Sequence, residues 1–245
     1  MDLQAEATAN FRRHLQANSY PGRGLVLGRS ADGAAWLQLY WIMGRSPNSQ
    51  NRVFVAHGGE LRTAAADPSK VEDPSLIIYE AMMELPGVYL VSNGDQTRTV
   101  YDALATGGTF EEALATRERE PDAPNYTPRI SAMLDLRAVT PALALHIIRA
   151  NPANPVLSDH ASFRIAPPPD GYGLCLTTYQ GDGKPLPPFT GPPLSLPLAG
   201  DAETVLTSYW KALDAHNRVS LALKRIPLAG GEGSIAIRNR FDAVE

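Results

Sequence analysis

The chain has 245 residues, 44% hydrophobic and 20% charged, a globular composition with apolar side chains enough to fill a core. Its formal charge of −4, with arginines and lysines scattered singly, argues against a nucleic-acid face and suits a site that grips one small anion. One cysteine, Cys175, leaves no internal disulfide; residues 1–20 lack a signal-peptide pattern, and no apolar run is long enough to span a bilayer, so a cytoplasmic protein meeting no membrane is expected.

Leu3, Ala7, Phe11 and Leu15 recur every four residues, which predicts an amphipathic helix over residues 2–17. Apolar runs at Gly24–Gly28 and Ala34–Met43, split by Ser30-Ala31-Asp32-Gly33, predict a hairpin, since Asp-Gly tolerates the dihedrals of a tight turn. Arg52–Ala56 reads as a third short strand. Asp73-Pro74 has the letters of a helix start, with the aspartate as N-cap, so a helix is predicted over Ser75–Leu85, up to Pro86-Gly87.

Val88–Val91 is strand-like and Ser92-Asn93-Gly94-Asp95 is a turn cluster. Helices are predicted near Thr97–Ala105 and Thr109–Arg117, the second opened by Thr109 and Glu112 at capping-box spacing. Strands follow at Arg129–Leu136, Ala142–Arg149, Gly173–Tyr179, Val219–Arg225 and Ser234–Arg240, with a last helix over Ala202–His216. Eleven of the 21 prolines fall between Pro152 and Pro197, a density that predicts stiff extended loops. Strands in adjacent groups with helices between them indicate an α+β fold, mainly antiparallel sheets stacked face to face with helices outside, in one domain.

Familiar chemistry is missing from the letters. His14, His57, His146, His160 and His216 are dispersed, with no ligand partner at metal spacing. There is no phosphate-binding glycine loop and no nucleophile elbow, and Cys175 sits inside an apolar run as a small hydrophobe. Neither a metal nor a cofactor is therefore expected.

Three clusters are oddly polar for their surroundings. Arg45-Ser46-Pro47-Asn48-Ser49-Gln50-Asn51-Arg52 follows a strand and offers fixed-geometry donors to phosphate or carbonyl oxygens. Ser92-Asn93-Gly94-Asp95-Gln96-Thr97 leaves a buried strand and offers an amide and a helix start. Glu120-Pro121-Asp122-Ala123-Pro124-Asn125-Tyr126-Thr127-Pro128-Arg129 holds two carboxylates, an amide, a phenol and a guanidinium on a backbone stiffened by prolines. Each is equally readable, on its own, as a solvated or self-satisfied turn.

In this order, however, they resemble the archaeal-type IMP cyclohydrolase family. The resemblance runs through Pro21-Gly22-Arg23, Gly44-Arg45-Ser46-Pro47-Asn48 with Arg52, Asp73-Pro74 leading to Tyr79, Val91-Ser92-Asn93-Gly94, Asn125-Tyr126-Thr127-Pro128-Arg129-Ile130, and Thr177-Thr178-Tyr179 with Gly183-Lys184-Pro185-Leu186-Pro187. It spans residues 21–190, with residues 1–20 as a helical extension and 191–245 supplying a helix and strands. Tyr40-Trp41-Ile42-Met43-Gly44 departs from a more polar run.

The resemblance implies an N-terminal-nucleophile-hydrolase-like fold of four layers, α-β-β-α, without autoprocessing. It implies cyclisation of 5-formamidoimidazole-4-carboxamide ribotide to inosine monophosphate, with loss of water. A nucleotide is then the expected partner, in a protein that is a possible homo-oligomer. The implied catalytic set is Arg45, Tyr79, Glu120 and Asp122. Arg45 would meet a carboxamide or formyl oxygen with Asn48 and Arg52 alongside, Tyr79 would relay a proton, and Glu120 or Asp122 would be the acid/base. Implied substrate contacts are Arg23, Ser46, Ser92, Asn93, Gly94, Asn125, Tyr126, Thr127 and Arg129. Asn93 would orient the amide, and Arg129 with Thr127, or else Arg23, would hold the phosphate. An amidohydrolase or cyclase acting on another ribotide, or a nucleotide-binding protein without activity, are the competing readings.

Overall fold

The computed structural model describes residues 2–71, 74 and 77–242. A six-stranded sheet runs in the order β11-β10-β1-β2-β12-β13, with β1 at Gly24–Arg29, β2 at Ala35–Met43, β10 at Tyr172–Thr177, β11 at Leu194–Pro197, β12 at Arg218–Pro227 and β13 at Ser234–Asn239. A seven-stranded sheet runs β3 to β9 in sequence order: β3 Arg52–His57, β4 Glu60–Ala65, β5 Glu80–Leu85, β6 Val88–Ser92, β7 Arg129–Asp135, β8 Ala142–Ala150 and β9 Ser158–Ile165. The strand pairs of both sheets are antiparallel.

Central strand β2 shows how the letters make layers. All nine of its residues are buried, because both faces of the sheet are covered. Successive side chains alternate, so Trp36, Tyr40 and Ile42 pack between the sheets while Leu37, Leu39, Trp41 and Met43 pack outward. The outward set meets Leu15, beyond helix α1 (Leu3–Phe11), and Val205, Leu206 and Tyr209 of helix α5 (Ala202–Ala212). On the far side, Val88, Leu90, Met133 and Ala144 meet Val100 of helix α3 (Gln96–Ala105) and Phe110 and Leu114 of helix α4 (Phe110–Ala115). The result is the expected four-layer α-β-β-α sandwich. Short helix α2 (Pro47–Gln50) lies in the loop between β2 and β3.

Most predicted elements form, and the capping box of Thr109 and Glu112 is made in both directions. One prediction is wrong. Residues 80–85, given above to a helix over Ser75–Leu85, are strand β5; Asp73 and Ser75 lie outside the described residues. Pro86-Gly87 is a two-residue turn with Gly87 at φ 74°, closing β5 on β6 with Leu85 opposite Val88. Cross-strand pairing there outweighs the helix preference of Ala, Met, Glu and Leu. Strands β4, β9 and β11 were not anticipated either. Strand β9 is an edge strand with mostly polar letters, so its hydrophobic signal is weak.

Candidate functional site

One end of the sandwich collects the start of β1, the end of β2, the end of β10 and the starts of β3 and β7. There a cavity of about 240 Å³ is lined by Tyr20, Gly22, Arg23, Met43, Arg45, Ser46, Ser49, Arg52, Asp122, Asn125, Thr127, Thr178, Tyr179 and Leu186. Its entry to β1 depends on Gly22, whose φ of 71° suits glycine, and whose Cβ would come within 2.2 Å of Thr178 Oγ1. Arg23 is then fixed by its backbone, N–H to Thr178 Oγ1 at 3.1 Å and C=O from Thr178 N at 2.8 Å.

Two buried guanidiniums stand side by side. Arg23 donates to Glu120, a carboxylate whose side chain is 4% exposed. Burial raises the Glu120 carboxyl above its ordinary value, and Arg23 opposes that shift. Arg52 is held by two carbonyls, Nε to Ser49 at 2.8 Å and Nη2 to Met43 at 3.1 Å. Among the described residues it has no carboxylate partner, and its Nη1 has no hydrogen-bond partner. Burial, and then Arg23, push Arg52 below the ordinary guanidinium value. Against these cations lie two phenols: Tyr40 and Tyr79 share a 2.6 Å hydrogen bond beneath the cavity.

Asp122, Thr127 and Tyr179 form a hydrogen-bonded chain in the cavity lining. Asp122 accepts from Thr127 N at 2.6 Å and from the Thr127 hydroxyl, which is also 2.7 Å from the Tyr179 phenol oxygen. Tyr179 stacks on Tyr20, with ring centroids 6.0 Å apart. At the mouth Arg45, its side chain 31% exposed, lies 4.8 Å over the Tyr20 ring and pairs with Asp182.

The three polar clusters therefore converge unequally. From the first come Arg45, Ser46, Ser49 and Arg52; Ser46 also caps α2, and Asn48 does not line the cavity, its buried side-chain oxygen lacking a partner among the described residues. From the third come Asp122, Asn125 and Thr127, with Glu120 behind Arg23. Tyr126, at φ 43°, instead carries Arg119 over its ring and faces an adjoining 310 Å³ cavity. The second cluster stands outside the lining and braces the third. Asn93 donates to Pro128 O, just before β7, and accepts from Ile130 N within it, while Gln96 holds its oxygen. Ser92 bonds Ser131, Gly94 lies against the Arg129 guanidinium, and Arg129 itself is spent on Glu118 O, Asp95 and Gln96. Tyr20, Gly22, Thr178 and Tyr179 were not among the candidates; Tyr179 had a signal, the Thr177-Thr178-Tyr179 run, but no partner in sequence.

Residues 20–229 match the family of IMP cyclohydrolase-like proteins. The chain is a member of that family. The match reaches well past residue 190, so α5 and all of β12 belong to the family's pattern. The IMP cyclohydrolase of Methanopyrus kandleri is 29% identical over 164 residues, 65% of this chain and 75% of the relative. That of Methanothrix thermoacetophila is 30% identical over 133 residues, 52% of this chain and 63% of the relative. Among the described residues no helix is long and apolar enough to cross a membrane, and no three His, Cys, Asp or Glu side chains cluster as a metal site.

Proposed function

We propose that this chain is an IMP cyclohydrolase, closing the ring of 5-formamidoimidazole-4-carboxamide ribotide to give inosine monophosphate and water. Family membership and the two named relatives support the reading, and one observation in the site carries it. Arg52 is a cation buried at the cavity without a counter-charge among the described residues, and it keeps an unpartnered N–H. A buried guanidinium so placed calls for an anionic or strongly polar guest.

The reaction is intramolecular. The carboxamide nitrogen attacks the formyl carbon, and the adduct dehydrates. A cavity that holds both arms in contact supplies the orientation, which in well-aligned cases removes about 7–11 kcal/mol from a barrier. Arg52, with Arg23 beside it, meets the oxyanion that develops on the formyl oxygen. Asp122, on the cavity wall, and Glu120, with its raised affinity for a proton, are the two acid/base groups, and Tyr79, bonded to Tyr40, lies near the two guanidiniums. Arg45 at the mouth takes the 5′-phosphate. The enzyme works in the cytoplasm on a small nucleotide.

The test is direct turnover of the formamido ribotide, followed by inosine monophosphate absorbance. Wild-type protein should convert it, and Arg52→Ala should lower kcat by about 10²–10³-fold, the usual cost of one oxyanion donor. Nucleotide binding without turnover by folded wild-type protein would overturn the reading in favour of a binding protein.

A further inference from the structure

The cavity wall formed by Asp122, Thr127 and Tyr179 has a polarity that donor counting fixes. As a carboxylate, Asp122 can only accept, and it accepts both the Thr127 N–H and the Thr127 hydroxyl. That hydroxyl has a single proton, now committed to Asp122. The 2.7 Å contact between Thr127 Oγ1 and the Tyr179 oxygen must then be donated by Tyr179. The phenol has spent its one proton toward Thr127, so what its oxygen offers the cavity is lone pairs. Tyr179 cannot turn away, because its ring stacks on Tyr20 and its backbone N–H is held by Pro21 O at 3.1 Å.

We propose that Tyr179 is a further catalytic residue, the acceptor for the N–H of the attacking carboxamide, and that Thr127 and Asp122 set its direction. This rests on the cyclohydrolase reading. As the nitrogen–carbon bond forms, the formyl π pair moves onto its oxygen and the nitrogen's N–H bond breaks. That proton goes to Tyr179, the phenol proton goes to Thr127, and the threonine proton goes to Asp122. Charge balances, since one carboxylate is neutralised as one oxyanion appears beside Arg52. Return of the proton to the oxyanion gives the hydroxyl adduct and restores the carboxylate before water is lost. Burial pushes the Tyr179 phenol above its ordinary range, so it hands the proton on instead of holding a charge. A carboxamide nitrogen, weakly nucleophilic because its lone pair is delocalised, needs an acceptor for its proton in this position, and a guanidinium cannot be one.

Steady-state turnover of the formamido ribotide by wild-type, Tyr179→Phe, Thr127→Val and Thr127→Ser protein tests this. Tyr179→Phe should lower kcat about 10²-fold, within the span of general acid–base steps, with KM changed far less. Thr127→Val should lower kcat comparably, because the phenol proton loses its acceptor and turns toward the nucleophile. Thr127→Ser keeps the hydroxyl and should recover most of that loss, which a purely packing role for the threonine would not reproduce. A wild type that turns over while Tyr179→Phe keeps its kcat overturns the relay alone. Turnover lost equally in Thr127→Val and Thr127→Ser overturns the directional role of Thr127. A wild type that does not turn over overturns the cyclohydrolase reading and the relay with it.

Discussion

Arg45 and Arg129 look alike as letters, each an arginine within a polar cluster near a carboxylate. Tertiary contacts separate them. Arg129 is 9% exposed and has bonds to a backbone carbonyl, a carboxylate and an amide oxygen, so it ties β7 to the start of α3. Arg45 is paired at the mouth with Asp182, whose side chain is half-exposed. We expect Arg45→Ala to raise KM for the ribotide about tenfold with little change in kcat, as removal of a uniform binding contact does. Arg129→Ala should instead cost about 1–3 kcal/mol of stability, by stranding the Gln96 oxygen in the interior. Steady-state kinetics and urea unfolding on both variants would separate the roles; a KM effect in Arg129→Ala at unchanged stability would restore it as a substrate contact. Asn93 teaches the same lesson, since an amide beside a glycine reads equally as ligand holder or turn, and only its bonds to Pro128 and Ile130 show which elements it joins.

At the scale of elements, β5 and β9 were hidden for opposite reasons. Strand β5 has helix-forming letters overridden by its neighbours, whereas β9 is an edge strand whose polar letters leave a weak alternation. Strand β9 lies beside β8, placing Ser162 opposite His146. His146 is 3% exposed, its Nδ1 2.7 Å from Ser162 Oγ and its Nε2 3.2 Å from His160 Nδ1, with Phe110 of α4 edge-on to it. Burial, then His160, lowers its pKa from 6.5 to about 4. Because the folded value is depressed, the native state favours the neutral ring. Its contribution is complete above pH 6.5 and is lost as pH falls toward 4. On the order of 3 kcal/mol should disappear across that window. Urea unfolding of wild type and His146→Asn at several pH values checks this: the stability difference between them should shrink as pH falls, and a pH-independent difference would refute it.

In the whole molecule, the two sheets are joined by more than apolar packing. Lys224 of β12, fully buried, donates to Gly59 O at 2.6 Å, pairs with Glu84 of β5 and lies 5.1 Å from the Tyr89 ring. Burial lowers its pKa, against the pull of Glu84. Lys224→Ala should reduce stability by about 2–4 kcal/mol through a void and a stranded carbonyl, while Lys224→Met, which keeps the volume, should cost less. Equal urea midpoints for wild type and Lys224→Ala would show that the tie contributes nothing.

The sequence by itself indicated antiparallel sheets stacked face to face with helices outside, because its strands come in adjacent groups with helices between them; the four-layer order came from the family resemblance. The sequence also determined the family, through polar motifs whose order survives in the letters. Which polar residues share a cavity was decided only by tertiary structure. Arg23, Arg52, Asp122 and Tyr179 are separated by up to 156 positions and meet because antiparallel registers bring the ends of five strands to one edge of the sandwich. A carboxylate, a hydroxyl and a phenol become a directed chain only when their donors and acceptors face one another, and no spacing along a chain encodes that.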